Sequence, residues 1–539
     1  MQEHNKRETW GTNFGFLMAA IGGAVGLGNI WGFPYKMGTS GGFAFLLLYI
    51  VLAVLVGFVV MIGEIALGRR GRRGAIGTYH ALSKRYKWLG WFGVISAFLI
   101  MTFYSVLGGY CMKYTVVNVG NIFSTSFGSN GMNGTQLFGE LMLNQSEGII
   151  YTLVFMIVTC VIVMGGISGG IEKFSKVAMP ALFVMLVIVI VRSVTLPGAE
   201  AGLDFMFRFN LKPLEEDFFG VLSTAGGQMF FSLSLGMGAM ITYGSYLDKK
   251  ENLEKNSIII IVADTLVALM AGLAVLPASF ALGGEGAAMA GPSLLFVTMQ
   301  DVFESMGAVG PYFGVVFYLL VIIAAVTSAI SLVEVVTTYF MDRARDKGRD
   351  GNRKVATFFI CLVLMALSAV VAADGLGTNH IWIPGRELFG EAAWNASWLD
   401  FMDAWSEGVL MPLGSLFTCL FIAYEYGVDR FAAEVCEGGN RFRGRGFFNF
   451  CVHVVAPLAM LMILYGQLKS FFGIGNFPIF AICAVVYFIL CMIPVSIVQK
   501  KGYDDRGQGV GFFLFGFLTG FVPALVVAMC LNDRTKKTA

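Results

Sequence analysis

Two stretches of otherwise apolar sequence place backbone chemistry where an unbroken helix is expected. The first reads Gly22-Gly23-Ala24-Val25-Gly26-Leu27-Gly28-Asn29, and the second reads Phe231-Ser232-Leu233-Ser234-Leu235-Gly236-Met237-Gly238. Glycine weakens a helix by roughly 1 kcal/mol relative to alanine, so each run predicts a break. Inside a bilayer, freed N–H and C=O groups are tolerated only where protein or a water-lined cavity satisfies them. A helix restarting after Gly26 would offer the unpaired amides of Leu27 and Gly28, at the positive end of its macrodipole, to an anion. The freed carbonyls of Gly22, Ala24 and Val25, with the side-chain oxygen of Asn29, suit a hard cation. The second run repeats both features. An anion site beside a cation site fits a zwitterion bound with sodium. The plainer reading is close packing of helices through small residues, since Gly22 and Gly26 have Gly-xxx-Gly spacing.

Other polar groups lie inside apolar runs. Thr327-Ser328 follows Ala324 on a long apolar segment. Such hydroxyls commonly bond their own helix one turn back, and beside a cation they would be oxygen ligands instead. Asp264 interrupts the run Ile258 to Leu276. A carboxylate at membrane depth is costly unless paired or hydrated, which marks a functional candidate, with a structural acid as the alternative. Glu64, near the end of the second apolar run, reads as a brace for a broken helix. Nine Cys are scattered through apolar runs without paired spacing, and the four His form no ligand motif. Buried thiols are the expectation, with neither disulfides nor a metal cluster.

These groups must be carried by membrane helices. The chain has 539 residues, 57% hydrophobic and only 13% charged, against about 25% charged in soluble domains. The net charge of +2 leaves no basic surplus for nucleic acid. At about 20 apolar residues per crossing, candidate spans fall near 12–37, 41–68, 88–122, 148–167, 174–196, 217–246, 256–282, 308–341, 353–373, 402–427, 447–471, 476–499 and a possible thirteenth at 509–531. Basic clusters from Lys6-Arg7 to Lys500-Lys501 fall on one side in this count. The positive-inside rule makes that side, and the N-terminus, cytoplasmic. The charged start, Met1 to Trp10, does not read as a cleavable signal peptide. Spans 1–5 and 6–10 each open on a broken helix, and an odd number of spans inverts the second set. The expected organisation is a cytoplasmic segment 1–11, a first repeat 12–196, a second repeat 217–427, and peripheral spans over 447–531.

The chain resembles the neurotransmitter:sodium symporters, in particular their bacterial amino-acid branch such as the leucine transporter. The carriers are Arg7-Glu8-Thr9-Trp10, Ala24 to Asn29 with Phe33-Pro34, the segment 166–174, Gln228 to Gly236, and Thr327-Ser328, in the family's order. The resemblance implies an all-α fold, a 5+5 inverted repeat with spans 1 and 6 unwound. It implies a first sodium held by Ala24, Asn29, Ser232 and Asp264. A second sodium would be held by Gly22, Val25, Ala324, Thr327 and Ser328. The substrate carboxylate would meet Leu27, Gly28 and Tyr104, and its ammonium the carbonyls around Phe231, Ser232 and Ser234. Its side chain would lie among Ile100, Tyr104, Phe231, Met237 and Leu332, with Gly23 leaving room.

Monoamine carriers of the family place Asp where this chain has Gly26. The resemblance therefore implies a substrate that brings its own carboxylate, a neutral amino acid with a bulky aliphatic or aromatic side chain. Asp264 stands where many relatives have Asn, and a fixed carboxylate beside the first sodium implies chloride independence. On the cytoplasmic side, Arg7, Asp342 and Tyr246 resemble the family's gate, with Glu334 where the leucine transporter has Gln. On the outer side the usual Arg is replaced by Gly32 while Asp403 remains. Closure there is expected to rest on Tyr104, Phe231 and Gln228. The reading is a sodium-coupled amino-acid symporter in the cell membrane, working by alternating access, with no covalent chemistry. The alternatives are the same fold carrying a betaine or other amine, a channel, or a membrane enzyme.

Overall fold

The computed structural model describes residues 8–283, 291–348, 351–390, 393–472 and 497–498. All regular structure among the described residues is helical. Nine helices there are long and apolar enough to cross a membrane, and the bent pair Asn13–Ala24 and Gly28–Thr39 makes a tenth. The expected spans 1 to 11 all meet helical segments. The expected spans at 476–499 and 509–531, and the gate residue Arg7, lie outside the described residues apart from 497–498.

Both glycine-rich runs break their helices. Span 1 consists of Asn13–Ala24 and Gly28–Thr39, which meet at 48°. Val25 is extended at the join (φ −70°, ψ 107°). A Cβ on Gly26 would stand 2.4 Å from both Ser328 Oγ and Tyr104 Oη. Only a residue without a side chain fits this approach of spans 3 and 8 to the break. Span 6 consists of Lys212–Ser232 and Ala239–Gly244. Between them Ser234, Gly236 and Gly238 take left-handed φ of +53°, +77° and +73°, which glycine adopts without steric penalty. Glu64 on span 2 (Phe43–Gly71) accepts a hydrogen bond from the freed Gly236 amide at 2.8 Å. That is the bracing contact anticipated for it.

The remaining spans surround this pair. Span 3 is Leu89–Ile122, span 7 is Leu253–Gly283 and span 8 is Gly310–Asp346. Span 8 packs lengthwise on span 3. Span 9 is Arg353–Asp374, span 10 Trp398–Val435 and span 11 Arg445–Phe471. Several segments outside the expected spans contain short helices: Gly134–Leu143, Ala199–Phe207, Met299–Ser305 and Arg386–Phe389. They are too short to stand out by hydropathy. The first is nonetheless signalled by a capping box between Asn133 and Gln136.

The end of the bundle carrying Gly71 is fixed by a buried charge. Arg69, 2% exposed, donates from Nε to Glu434 at 2.7 Å and from Nη1 to the Glu251 carbonyl at 2.8 Å. It joins span 2 to span 10 and to the start of span 7. Removing one member of a buried ion pair costs about 3–5 kcal/mol. Arg69→Ala is expected to lower thermal stability by a loss of that order, with Arg69→Lys restoring little of it because the fork is lost. Size-exclusion recovery after graded heating of the purified variants measures this; a wild-type profile for Arg69→Ala would contradict it.

Candidate functional site

The breaks in spans 1 and 6 lie side by side and span 7 closes them on one flank. Asn29 Nδ2 donates to Ser232 Oγ at 2.9 Å and to Asp264 Oδ1 at 2.8 Å. Its Oδ1 accepts from the Gly26 amide at 3.0 Å. Ser232 Oγ donates to Asp264 Oδ2 at 2.8 Å. Asn29, Ser232 and Asp264 are all fully buried. Three of the four groups expected for the first sodium therefore share one hydrogen-bonded cluster, and the fourth, Ala24, stands at the break. The cluster also holds Tyr49, whose hydroxyl donates to Asp264 Oδ2 at 3.2 Å and to Ser232 Oγ at 3.1 Å. Sequence reasoning missed Tyr49, because nothing separates a lone Tyr in an apolar span from core packing.

Of the second expected set, Ser328 meets Gly22 and Val25 across two helices, while Thr327 stays with its own helix. Ser328 Oγ lies 3.2 Å from the carbonyl oxygens of Gly22 and of Val25, so span 8 reaches across to the broken end of span 1. Thr327 Oγ1 donates back to the carbonyls of Ile323 at 3.0 Å and Ala324 at 2.9 Å. The two adjacent hydroxyls thus do different things: one satisfies its own helix and the other crosses to its neighbour. Ser328 Oγ and the carbonyls of Gly22 and Val25 thus bring three oxygens from two helices together.

Between the two clusters lies a cavity lined by Ala24, Gly26, Gly28, Ile100, Tyr104, Phe231, Ser234, Met237, Ser328, Ser331 and Leu332. Eight of these are expected substrate contacts. Ser331 was not anticipated. Gly23, Leu27 and Ser232 are not part of the lining and act from behind it. The Gly23 carbonyl accepts from Ser234 Oγ at 2.8 Å, and the Leu27 amide donates to Tyr104 Oη at 2.9 Å. No acidic or basic side chain lines the cavity.

Other side chains meet towards each end. Towards the end carrying Asp346, Tyr246 Oη donates to Glu334 at 2.7 Å. Asp342 accepts from the Gly74 amide at 2.7 Å, and the Trp10 indole donates to the Tyr243 carbonyl at 3.0 Å. Glu334 pairs with Arg353, which also lies 3.6 Å from Glu8. Towards the opposite end, the Tyr104 and Phe231 rings are 6.5 Å apart, and Gln228 Nε2 donates to the Gly28 carbonyl at 2.7 Å. Asp403 is partly buried near Lys36 and Glu407.

The profile of the sodium:neurotransmitter symporter family matches residues 7–128 and 141–501. The chain belongs to that family. As a sodium:neurotransmitter symporter it is an integral membrane protein and a secondary transporter coupled to sodium, not an enzyme. It is 34% identical over 465 residues to the uncharacterised sodium-dependent transporter YhdH of Bacillus subtilis, covering 84% of this chain and 96% of that one. An uncharacterised sodium-dependent transporter of Haemophilus influenzae is 33% identical over 479 residues, covering 87% and 100%. The crystal structure of MhsT in complex with L-phenylalanine superposes with a TM-score of 0.76 at 34% identity, covering 86% of this chain and all of that one.

As a member of this family the chain is stabilised by its coupling ion through ordinary linkage. Replacing potassium by sodium is expected to raise the melting temperature of the purified protein. Ser328→Ala, which removes the one side chain bridging span 8 to both freed carbonyls, is expected to shift the sodium midpoint upward about tenfold. Melting curves across a sodium titration decide this, and an unchanged midpoint would show that Ser328 does not face the ion.

Proposed function

We propose that the chain carries a neutral, hydrophobic or aromatic α-amino acid into the cell together with sodium, by alternating access and without chloride. The observation that carries this reading is the absence of any charged side chain from the cavity wall. A zwitterion held there would bring both charges itself, and the groups present match its two ends. In this reading the amides of Leu27 and Gly28, with Tyr104, meet the carboxylate. The carbonyls around Phe231, Ser232 and Ser234 face an ammonium. Ile100, Phe231, Met237 and Leu332 offer an apolar wall, and the likeness to MhsT, crystallised with L-phenylalanine, supports a bulky side chain.

Sodium enters the same account through shared oxygens. In this reading Ala24, Asn29, Ser232 and Asp264 hold the first ion with the substrate carboxylate completing its shell. Gly22, Val25, Ala324, Thr327 and Ser328 hold the second. Arg7, Tyr246 and Asp342 close the cytoplasmic face, and Gln228, Tyr104 and Phe231 the outer one, with Asp403 beside it. Spans 1–5 and 6–10 (12–196 and 217–427) are the two inverted units that move against each other in the cell membrane. The N-terminal segment 1–11 is cytoplasmic and spans over 447–531 are peripheral.

Uptake by proteoliposomes of each of the twenty amino acids, with sodium or choline outside, tests the substrate class. Sodium-dependent uptake confined to leucine-sized and aromatic side chains is expected, and no sodium-dependent uptake of any amino acid would overturn the proposal. Asp264 supplies the fixed negative charge beside the first ion, so uptake is expected to be equal in gluconate and chloride. Asp264→Asn is expected to cut uptake at least tenfold in gluconate, with partial recovery in chloride. Strong chloride stimulation of the wild type would refute the role given to Asp264.

A further inference from the structure

We propose that the outer gate of this chain is the ion pair between Lys36 and Glu407, seated in a notch at Gly227. The inference rests on the alternating-access reading above. Lys36 lies on the second half of span 1, eight residues beyond Gly28, about 12 Å outward at 1.5 Å per residue. Its ammonium pairs with the Glu407 carboxylate of span 10, and the two side chains are only 19% and 7% exposed.

The pair is built into the bundle. Glu407 Oε1 stands 2.8 Å from where a Cβ on Gly227 would lie, so the bare backbone of span 6 makes its seat. Gln467 of span 11 closes the seat from the far side, held by its own bond to the Ser223 carbonyl at 2.9 Å. Position 32, one turn nearer the cavity, carries no side chain. Gln228 Oε1 faces that bare backbone, 3.0 Å from where a Cβ would stand, and has no hydrogen-bond partner. The cation that span 1 presents to span 10 therefore sits one turn further out than position 32, and it meets Glu407, one turn along the inward-running span 10 from Asp403.

Three layers then close the cavity outward. The Tyr104–Phe231 rings join spans 3 and 6, the Gln228–Gly28 bond joins spans 6 and 1, and Lys36–Glu407 joins spans 1 and 10. Of these three, the last ties span 1 to span 10, so it must part before those two spans separate on that side. A partly desolvated pair resists removal of one partner, because the other is left unpaired. A single flexible ammonium holds less firmly than a guanidinium fork, which suits a latch that opens repeatedly.

Hydrogen–deuterium exchange of the full chain in lipid nanodiscs with sodium tests this without any organic ligand. Lys36→Met and Glu407→Gln are each expected to speed exchange about fivefold in 28–40, 222–232 and 400–410, the effect of losing about 1 kcal/mol locally. Span 3 is expected to remain protected. The exchange Lys36→Glu with Glu407→Lys is expected to restore wild-type protection. Unchanged exchange in both single variants, or deprotection spread equally over span 3, would overturn the proposal. This local pattern in a wild-type chain that takes up no amino acid with sodium would count against the transport reading instead.

Discussion

A helix within a bilayer must satisfy its own backbone, and this chain gives that up at two places. The cost of unpaired amides and carbonyls at membrane depth runs to several kcal/mol per group. It is offset only by bringing the two defects together and surrounding them with oxygen-bearing and amide-bearing side chains. Much of the buried polar inventory follows from this constraint. Glu64 meets the freed Gly236 amide, Tyr104 the Leu27 amide, Gln228 the Gly28 carbonyl, and Ser328 the carbonyls of Gly22 and Val25. The polar residues of spans 2, 3, 6 and 8 are in this sense answers to two runs of glycine.

The same constraint creates the site. Carbonyls released from a helix end can turn to a cation, and amides released from the next helix can turn to a carboxylate. Because both come from one break, the groups that hold the ion and those that hold the ligand cannot move independently. Coupling in this account is a property of shared geometry at Gly26, not of a separate relay. Asp264 brings a buried carboxyl group to the breaks, and Asn29, Ser232 and Tyr49 hold it in place.

Much of this was legible in the sequence, for physical reasons. Glycine runs inside apolar segments signal a break strongly, and Asp264 stands out because carboxylates are rare at membrane depth. Hydropathy placed spans 1 to 11 on helical segments, with the expected end of span 10 at 427 falling eight residues short of Val435. Tyr49 and Ser331 escaped notice because single polar atoms on apolar helices carry no periodic signal. Short helices such as Met299–Ser305 fall below any hydropathy window. Lys36 and Glu407 were invisible as partners because 371 residues separate them and no local pattern links a lone lysine to a distant acid. The resemblance pointed instead to Gly32 and Asp403, each one helical turn along its span from the residue that pairs.

The central claim is that ion and ligand share one broken backbone, and thermodynamic linkage tests it without assuming any rate. Coupling between two sites is reciprocal in equilibrium affinity. Sodium affinity of the purified protein should be measured by titration calorimetry with and without saturating L-phenylalanine, and L-phenylalanine affinity with and without sodium. The account predicts that each strengthens the other by the same factor, at least tenfold. Sodium and L-phenylalanine binding with affinities independent of one another would contradict it.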